Sequence, residues 1–265
     1  MKRMVVVVAA LAAFGFVSSA NAADMPMPAK APMLAPAPVY NWNGFYIGGF
    51  AGLATAGNAT TSDPCLSTAL AACAAAGAGT YNGVAPVGYS LKTSFIGGGT
   101  IGWNWQSSGS HFVFGLENEI GYMHLQGSAV MNPLGSGDTV ASTRIGNWYD
   151  AYTVRAGYAW DQALLYAKVG GVSAGYSSGV VDNGGGVTID TTTNKVLTGW
   201  AAGAGVEYAW TRNWSVKAEY LYLGLASTVN SCAQVGGFPP GTIDCVYTKT
   251  NGISTFKLGA NYHFN

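Results

Sequence analysis

The chain has 265 residues, and its 12 Lys and Arg balance 12 Asp and Glu, giving zero formal net charge. Only 9% of its residues are charged, against about 25% in ordinary soluble domains, while 38 are glycine and 12% are aromatic. Nothing in this balance points to nucleic acid, and it disfavours both a disordered chain and a helical globule.

Lys2 and Arg3 precede an apolar run from Met4 to Val17, and Ala20-Asn21-Ala22 supplies small residues for cleavage before Ala23. Residues 1–22 therefore read as an export signal, since 14 apolar residues fall short of a spanning helix. Residues 23–41 hold Pro26, Pro28, Pro32, Pro36 and Pro38 among alanines, the composition of an extended periplasmic spacer.

From Trp42 onward the pattern has period two, the signature of strands. The first strand is expected over Trp42–Leu53, the second over Ser94–Gln106, the third over Phe112–His124 and the fourth over Trp148–Trp160. A fifth follows over Leu164–Tyr176, and Val196–Gly224 reads as a hairpin of two strands turning at Thr211-Arg212-Asn213. The eighth spans Ile253–Phe264. Each is long enough to cross a bilayer when tilted. In each, one face is bulky and apolar while the other is small and polar: Trp200, Val206, Tyr208 and Trp210 oppose Gly203, Gly205 and Glu207. The fold class is therefore all-β, an eight-stranded antiparallel transmembrane up-and-down barrel over residues 42–265, apolar outside and polar inside.

Short connections (Ser107–His111, Asp161–Ala163, Thr211–Asn213) alternate with long ones (Ala54–Thr93, Leu125–Asn147, Ser177–Lys195, Leu225–Gly252). The short ones read as periplasmic turns and the long ones as extracellular loops. Trp42, Trp103, Trp105, Trp160, Trp210 and Trp214 stand at the short-turn end, where an interfacial aromatic belt belongs.

Strand parity points Glu117, Glu119, Arg155, Lys168, Glu207, Lys217, Glu219 and Lys257 inward and leaves Asp150 near the outer rim. An eight-stranded barrel is just wide enough for side chains to fill. These four acids and four bases thus read as a salt-bridge network packing the lumen, with Glu207 facing Lys217 and Arg155 opposite Lys168. A proton- or ion-conducting path is the rival reading.

Gly97 to Gly102 formally matches a dinucleotide-binding loop, but it lies within a strand pattern and no helix follows. His111, His124 and His263 are scattered without metal-ligand spacing; no metal, cofactor or catalytic residue is expected, and His124 at the outer rim is the sole catalytic candidate. Cys65 and Cys73 fall in the first long connection, Cys232 and Cys245 in the last. Export to an oxidising compartment permits bridges, either local (Cys65–Cys73 and Cys232–Cys245) or between the two connections.

Several segments resemble a known family: Trp42-Asn43-Gly44-Phe45-Tyr46-Ile47-Gly48-Gly49, Leu165-Tyr166-Ala167-Lys168-Val169-Gly170-Gly171, Gly203-Ala204-Gly205-Val206-Glu207-Tyr208 and Trp214-Ser215-Val216-Lys217-Ala218-Glu219-Tyr220. They are similar to the outer-membrane immunogenic, or small porin-family, proteins of alphaproteobacteria, within the OmpA/OmpX-like eight-stranded barrels. The resemblance implies a Gram-negative outer-membrane location, contact with outer-membrane lipid, and recognition by the barrel-assembly machinery through the strand ending at Phe264. Such barrels commonly end on an aromatic residue, whereas Asn265 follows Phe264 here. Two functions fit: a structural, surface-exposed protein with or without a narrow porin-like channel, and a ligand- or haem-binding surface receptor or adhesin acting through its extracellular loops with an unknown partner. The long connections carry neither a His/Tyr cluster nor a basic patch, which favours the first.

Overall fold

The computed structural model describes residues 40–62, 86–131, 139–182, 189–225, 227–234 and 243–264. The expected export signal, the spacer up to residue 39, Cys65, Cys73 and Asn265 lie outside the described residues. Among those described, the strands are β1 (Gly44–Ala56), β2 (Asn58–Ser62), β3 (Val87–Ser90), β4 (Ser94–Gln106), β5 (Phe112–Met131) and β6 (Thr139–Trp160). They continue with β7 (Ala163–Asp182), β8 (Ile189–Ala209), β9 (Trp214–Gly224), β10 (Ser227–Gln234), β11 (Ile243–Thr250) and β12 (Ile253–His263).

Eight of these form a closed antiparallel barrel in the order β1-β12-β9-β8-β7-β6-β5-β4. Closure is made by β1, where Tyr46 lies opposite Gly102 of β4 on one side and His263 of β12 on the other. The closed order leaves no strand edge open in the barrel, as lipid requires. The periplasmic turns are tight. Asp161 takes a left-handed φ of 53° between β6 and β7, and Gly109 one of 75° between β4 and β5.

The outer wall carries two aromatic girdles. Trp105, Trp160, Trp210 and Trp214 ring the turn end, and Phe95, Tyr122, Trp148 and Trp200 the opposite end, all exposed. Trp148 and Trp160 are twelve residues apart on β6. At about 3.3 Å per residue and a tilt near 45° they span about 28 Å of height, the thickness of the bilayer core. Trp42 departs from the expected belt. It is buried inside the mouth of the barrel, where its indole Nε1 donates to the Asp161 carbonyl at 3.1 Å. Its parity with Tyr46, rather than its closeness to a turn, decides the face.

Where the expected long loops are described, they are largely strand instead. β5 to β8 each run 20–22 residues, rising past the upper girdle. The first and last connections form a second sheet of order β10-β11-β2-β3. That sheet and the residues after β3 contact the risen barrel wall: the Tyr89 hydroxyl meets Thr143 Oγ1 at 2.7 Å, and beyond β3 the Lys92 backbone N–H donates to the Gln126 carbonyl at 2.9 Å. Thr61, Thr248 and Ser178 extend this contact as a buried hydroxyl chain. A polar collar thus continues the wall beyond the membrane.

Candidate functional site: a buried charge layer in the lumen

All eight inward charges of the sequence reading meet in the lumen with buried side chains. Glu117 and Glu119 come from β5, Arg155 from β6, Lys168 from β7, Glu207 from β8, Lys217 and Glu219 from β9 and Lys257 from β12. The period of two puts them there: each alternates with a lipid-facing apolar residue, as Leu116 and Ile120 flank Glu117 and Glu119.

Two residues act as hubs. The Lys168 ammonium lies 2.8 Å from Glu117, 3.3 Å from Glu119 and 2.8 Å from Glu219. The Glu117 carboxylate in turn lies 3.1 Å from Lys217 and 3.5 Å from Arg155. Lys257 joins Glu119 and Glu219, and Arg155 Nη2 donates to Glu207 at 2.8 Å. Glu207 and Lys217 are direct cross-strand neighbours, as expected. Yet the Lys217 ammonium reaches across the lumen to Glu117, and Glu207 bonds Arg155. Cross-strand register fixes where Cα atoms lie, whereas a lysine stem is long enough to choose a carboxylate on the far side of the lumen, four strands away for Lys217. Arg155 and Lys168, also opposite one another, share Glu117 between them.

Neutral groups complete the layer. The Tyr46, Tyr149 and Tyr166 hydroxyls donate to Glu117, Glu119 and Glu219 at 2.8, 2.6 and 2.9 Å. Glu207 accepts from Asn261 Nδ2 at 2.7 Å and from the Ser215 hydroxyl, and His263 Nε2 lies 3.2 Å away. Sequence reasoning assigned these residues no role, although Tyr166 shares its parity with Lys168 and His263 with Lys257. Tyr46 and Tyr166 fit because glycines face them: a Cβ on Gly102 would lie 2.3 Å from the Tyr46 ring, and one on Gly205 2.6 Å from the Tyr166 hydroxyl. Glycines of the formal dinucleotide motif thus line a barrel strand, one making room for a ring.

Glu117, Glu119 and Glu219 bring carboxylate oxygens within 4.8 Å of one another. The Lys168 ammonium sits among all three, so the place a metal cation would take is filled by a protein cation. Asp150 lies on the outer face and accepts from Asn118 Nδ2 at 2.7 Å. Away from the lumen, His124 is held by Asn147 and Gln126 at the upper girdle, and His111 meets the Ala159 carbonyl; the three histidines are not brought together.

Apolar layers close the lumen on both sides of the charges. Toward the periplasm, Trp42, Val113, Ala159, Leu164 and Ala209 pack together, with Tyr40 against them. Toward the outside, Ile96, Met123, Leu125, Ile145, Leu197, Leu221, Leu223, Leu225 and Ile253 form a larger buried cluster. The buried charges therefore lie between two buried apolar clusters. Moving an ion through either apolar layer strips its hydration at a cost of several kcal/mol or more.

The profile of the outer membrane protein beta-barrel domain matches residues 9–264. The chain belongs to this family. Two relatives, the 31 kDa outer-membrane immunogenic proteins of Brucella melitensis biotype 1 and Brucella suis biovar 1, are each 30% identical over 271 residues, covering 98% of this chain and 99% of the relative. The outer membrane protease OmpT of Escherichia coli is similar in fold, with a TM-score of 0.50 at 12% identity, over 86% of this chain and 99% of that one. Membership of the barrel family and these relatives place the chain in the Gram-negative outer membrane.

Proposed function

We propose that this family member is a non-conducting, non-catalytic structural barrel whose outward role is carried by its extracellular collar. One observation carries the reading: the charge layer is enclosed between two buried apolar layers, so charge fills the lumen instead of lining a path through it. Eight ion pairs and the tyrosine hydrogen bonds leave those charges as mutual partners, which suits a rigid plug better than a relay open to solvent. A surface role fits the four strands that rise beyond the girdle and the second sheet beside them, and it agrees with relatives named as outer-membrane immunogenic proteins.

Solute flux tests the reading. Liposomes carrying the refolded chain should release small sugars and monovalent ions at the rate of empty liposomes. Release that rises with protein content would reject it in favour of a porin.

A further inference from the structure

Five cations of the described residues stand outside the lumen: Lys92, Arg144, Lys195, Arg212 and Lys249, all exposed. Arg212 occupies a periplasmic turn. The other four lie beyond the upper girdle, on the extracellular side. Two of them, far apart in the sequence, come together: Lys92 and Arg144 line one groove of about 490 Å³ with Gln126, Ser142, Ser177 and Thr192. The connections carry no basic patch when read one at a time; the fold makes one from two of them. Among the described residues, no carboxylate lines this groove.

The groove is held in place. Gln126, Arg144 and Ser177 are consecutive partners across β5, β6 and β7. The Lys92 backbone is tied to Gln126, and Gln126 Oε1 lies 3.1 Å from His124 Nε2. His124 is held in turn by Asn147 Oδ1 at 2.9 Å. Asn147 takes a left-handed φ of 69° at a bulge where the β6–β7 register shifts, and such bulges re-aim side chains.

Height identifies the occupant. Arg144 lies four residues beyond Trp148, and Gln126 four beyond Tyr122. Directly below the cations, Tyr122 and Trp148 are exposed on the face that meets acyl chains. A ligand satisfying both levels has an anionic head above and apolar tails below. We propose that the Lys92–Arg144 groove binds the phosphorylated headgroup of a lipid A-type glycolipid of the outer leaflet, with its acyl chains lying along Tyr122 and Trp148. Arg144 offers a planar fork of donors to phosphate oxygens and Lys92 a compact point charge, while Gln126 and Ser142 supply neutral hydrogen bonds.

The full chain, refolded in detergent, is titrated with bisphosphorylated lipid A, with the same lipid after phosphate removal, and with inorganic phosphate. Binding is counted by native mass spectrometry. The expected result is retention of bisphosphorylated lipid A, weakened at least ten-fold in the double variant Lys92→Gln/Arg144→Gln. Phosphate removal should cause a comparable loss in the unaltered chain. Lys249→Gln, outside the groove, and Arg212→Gln, on the periplasmic turn, should bind as the unaltered chain does. Undiminished binding by the double variant, or equal binding of the dephosphorylated lipid, would overturn the proposal. So would an equal loss with Lys249→Gln, which would mean diffuse charge, or displacement of the lipid by inorganic phosphate at matching concentration, which would mean a soluble anion. Migration of unboiled samples in detergent gels checks that every variant is folded.

Discussion

Lys168 and Glu117 each serve three opposite charges, so neither belongs to a simple pair. Removing one member of a buried pair leaves an uncompensated charge, at a cost of about 3–5 kcal/mol, while replacing both with fitting apolar groups is near neutral. Lys217→Met should therefore lower unfolding stability by that order, and a second change of Glu117→Leu should recover part of the loss. Double-mutant cycles distinguish contact from register: Lys217 should couple more strongly to Glu117, 3.1 Å away, than to its cross-strand neighbour Glu207. Stronger coupling to Glu207 would mean that the lysine does not cross the lumen. Trp42 offers a second residue-scale test. It fills the periplasmic mouth and packs edge-to-face against Tyr40 and His263, so Trp42→Ala should cost about 3–5 kcal/mol in denaturant unfolding, and Trp42→Phe distinctly less. An unfolding midpoint unmoved by Trp42→Ala would place the indole outside the packed lumen.

At the scale of elements, the membrane strands were legible because lipid imposes strict alternation: an outward residue must be apolar, and an inward one fits a narrow lumen only if small or paired. That rule places Glu207 and Lys217 correctly without any structure. It fails above the girdle, where water bathes the wall and the outward face need not be apolar. Stretches such as Thr139-Val140-Ala141-Ser142-Thr143-Arg144 and Thr191-Thr192-Thr193-Asn194 therefore read as polar connections, although Thr and Val favour strands. Trp42 was misplaced for a related reason, since an aromatic beside a turn suits either a belt or a plug, and only parity with Tyr46 separates them. The second sheet, invisible in the pattern, brings a consequence for the cysteines: Cys232 of β10 lies directly opposite Cys245 of β11. Opposed residues of an antiparallel pair have Cα atoms about 4.5–5.5 Å apart, within the range a disulfide spans. Peptide mapping of the non-reduced protein should recover a Cys232–Cys245 bridge, and reduction should leave the barrel resistant to unboiled detergent. Recovery of either cysteine bridged to Cys65 or Cys73 would contradict the local pairing.

Taken whole, the molecule is a wall of two kinds of strand around a lumen in four layers: an apolar foot, a balanced charge layer, an apolar plug and a hydroxyl-lined collar. Each layer answers to its surroundings. The charges are tolerated at membrane depth because four acids face four bases, with tyrosines completing Glu117, Glu119 and Glu219 and the Ser215 hydroxyl and Asn261 amide completing Glu207. The apolar layers shield those pairs from water, and on the proposed reading they also block passage. Single-channel recording across a planar bilayer tests this closure most directly. A sealed lumen predicts a silent trace at either polarity from the refolded chain, with current appearing only after the plug is opened, as by Leu221→Ala combined with Leu223→Ala. Regular ohmic steps from the unaltered protein, changed in size or ion selectivity by neutralising Glu119 or Lys168, would show that the charge layer lines a pore.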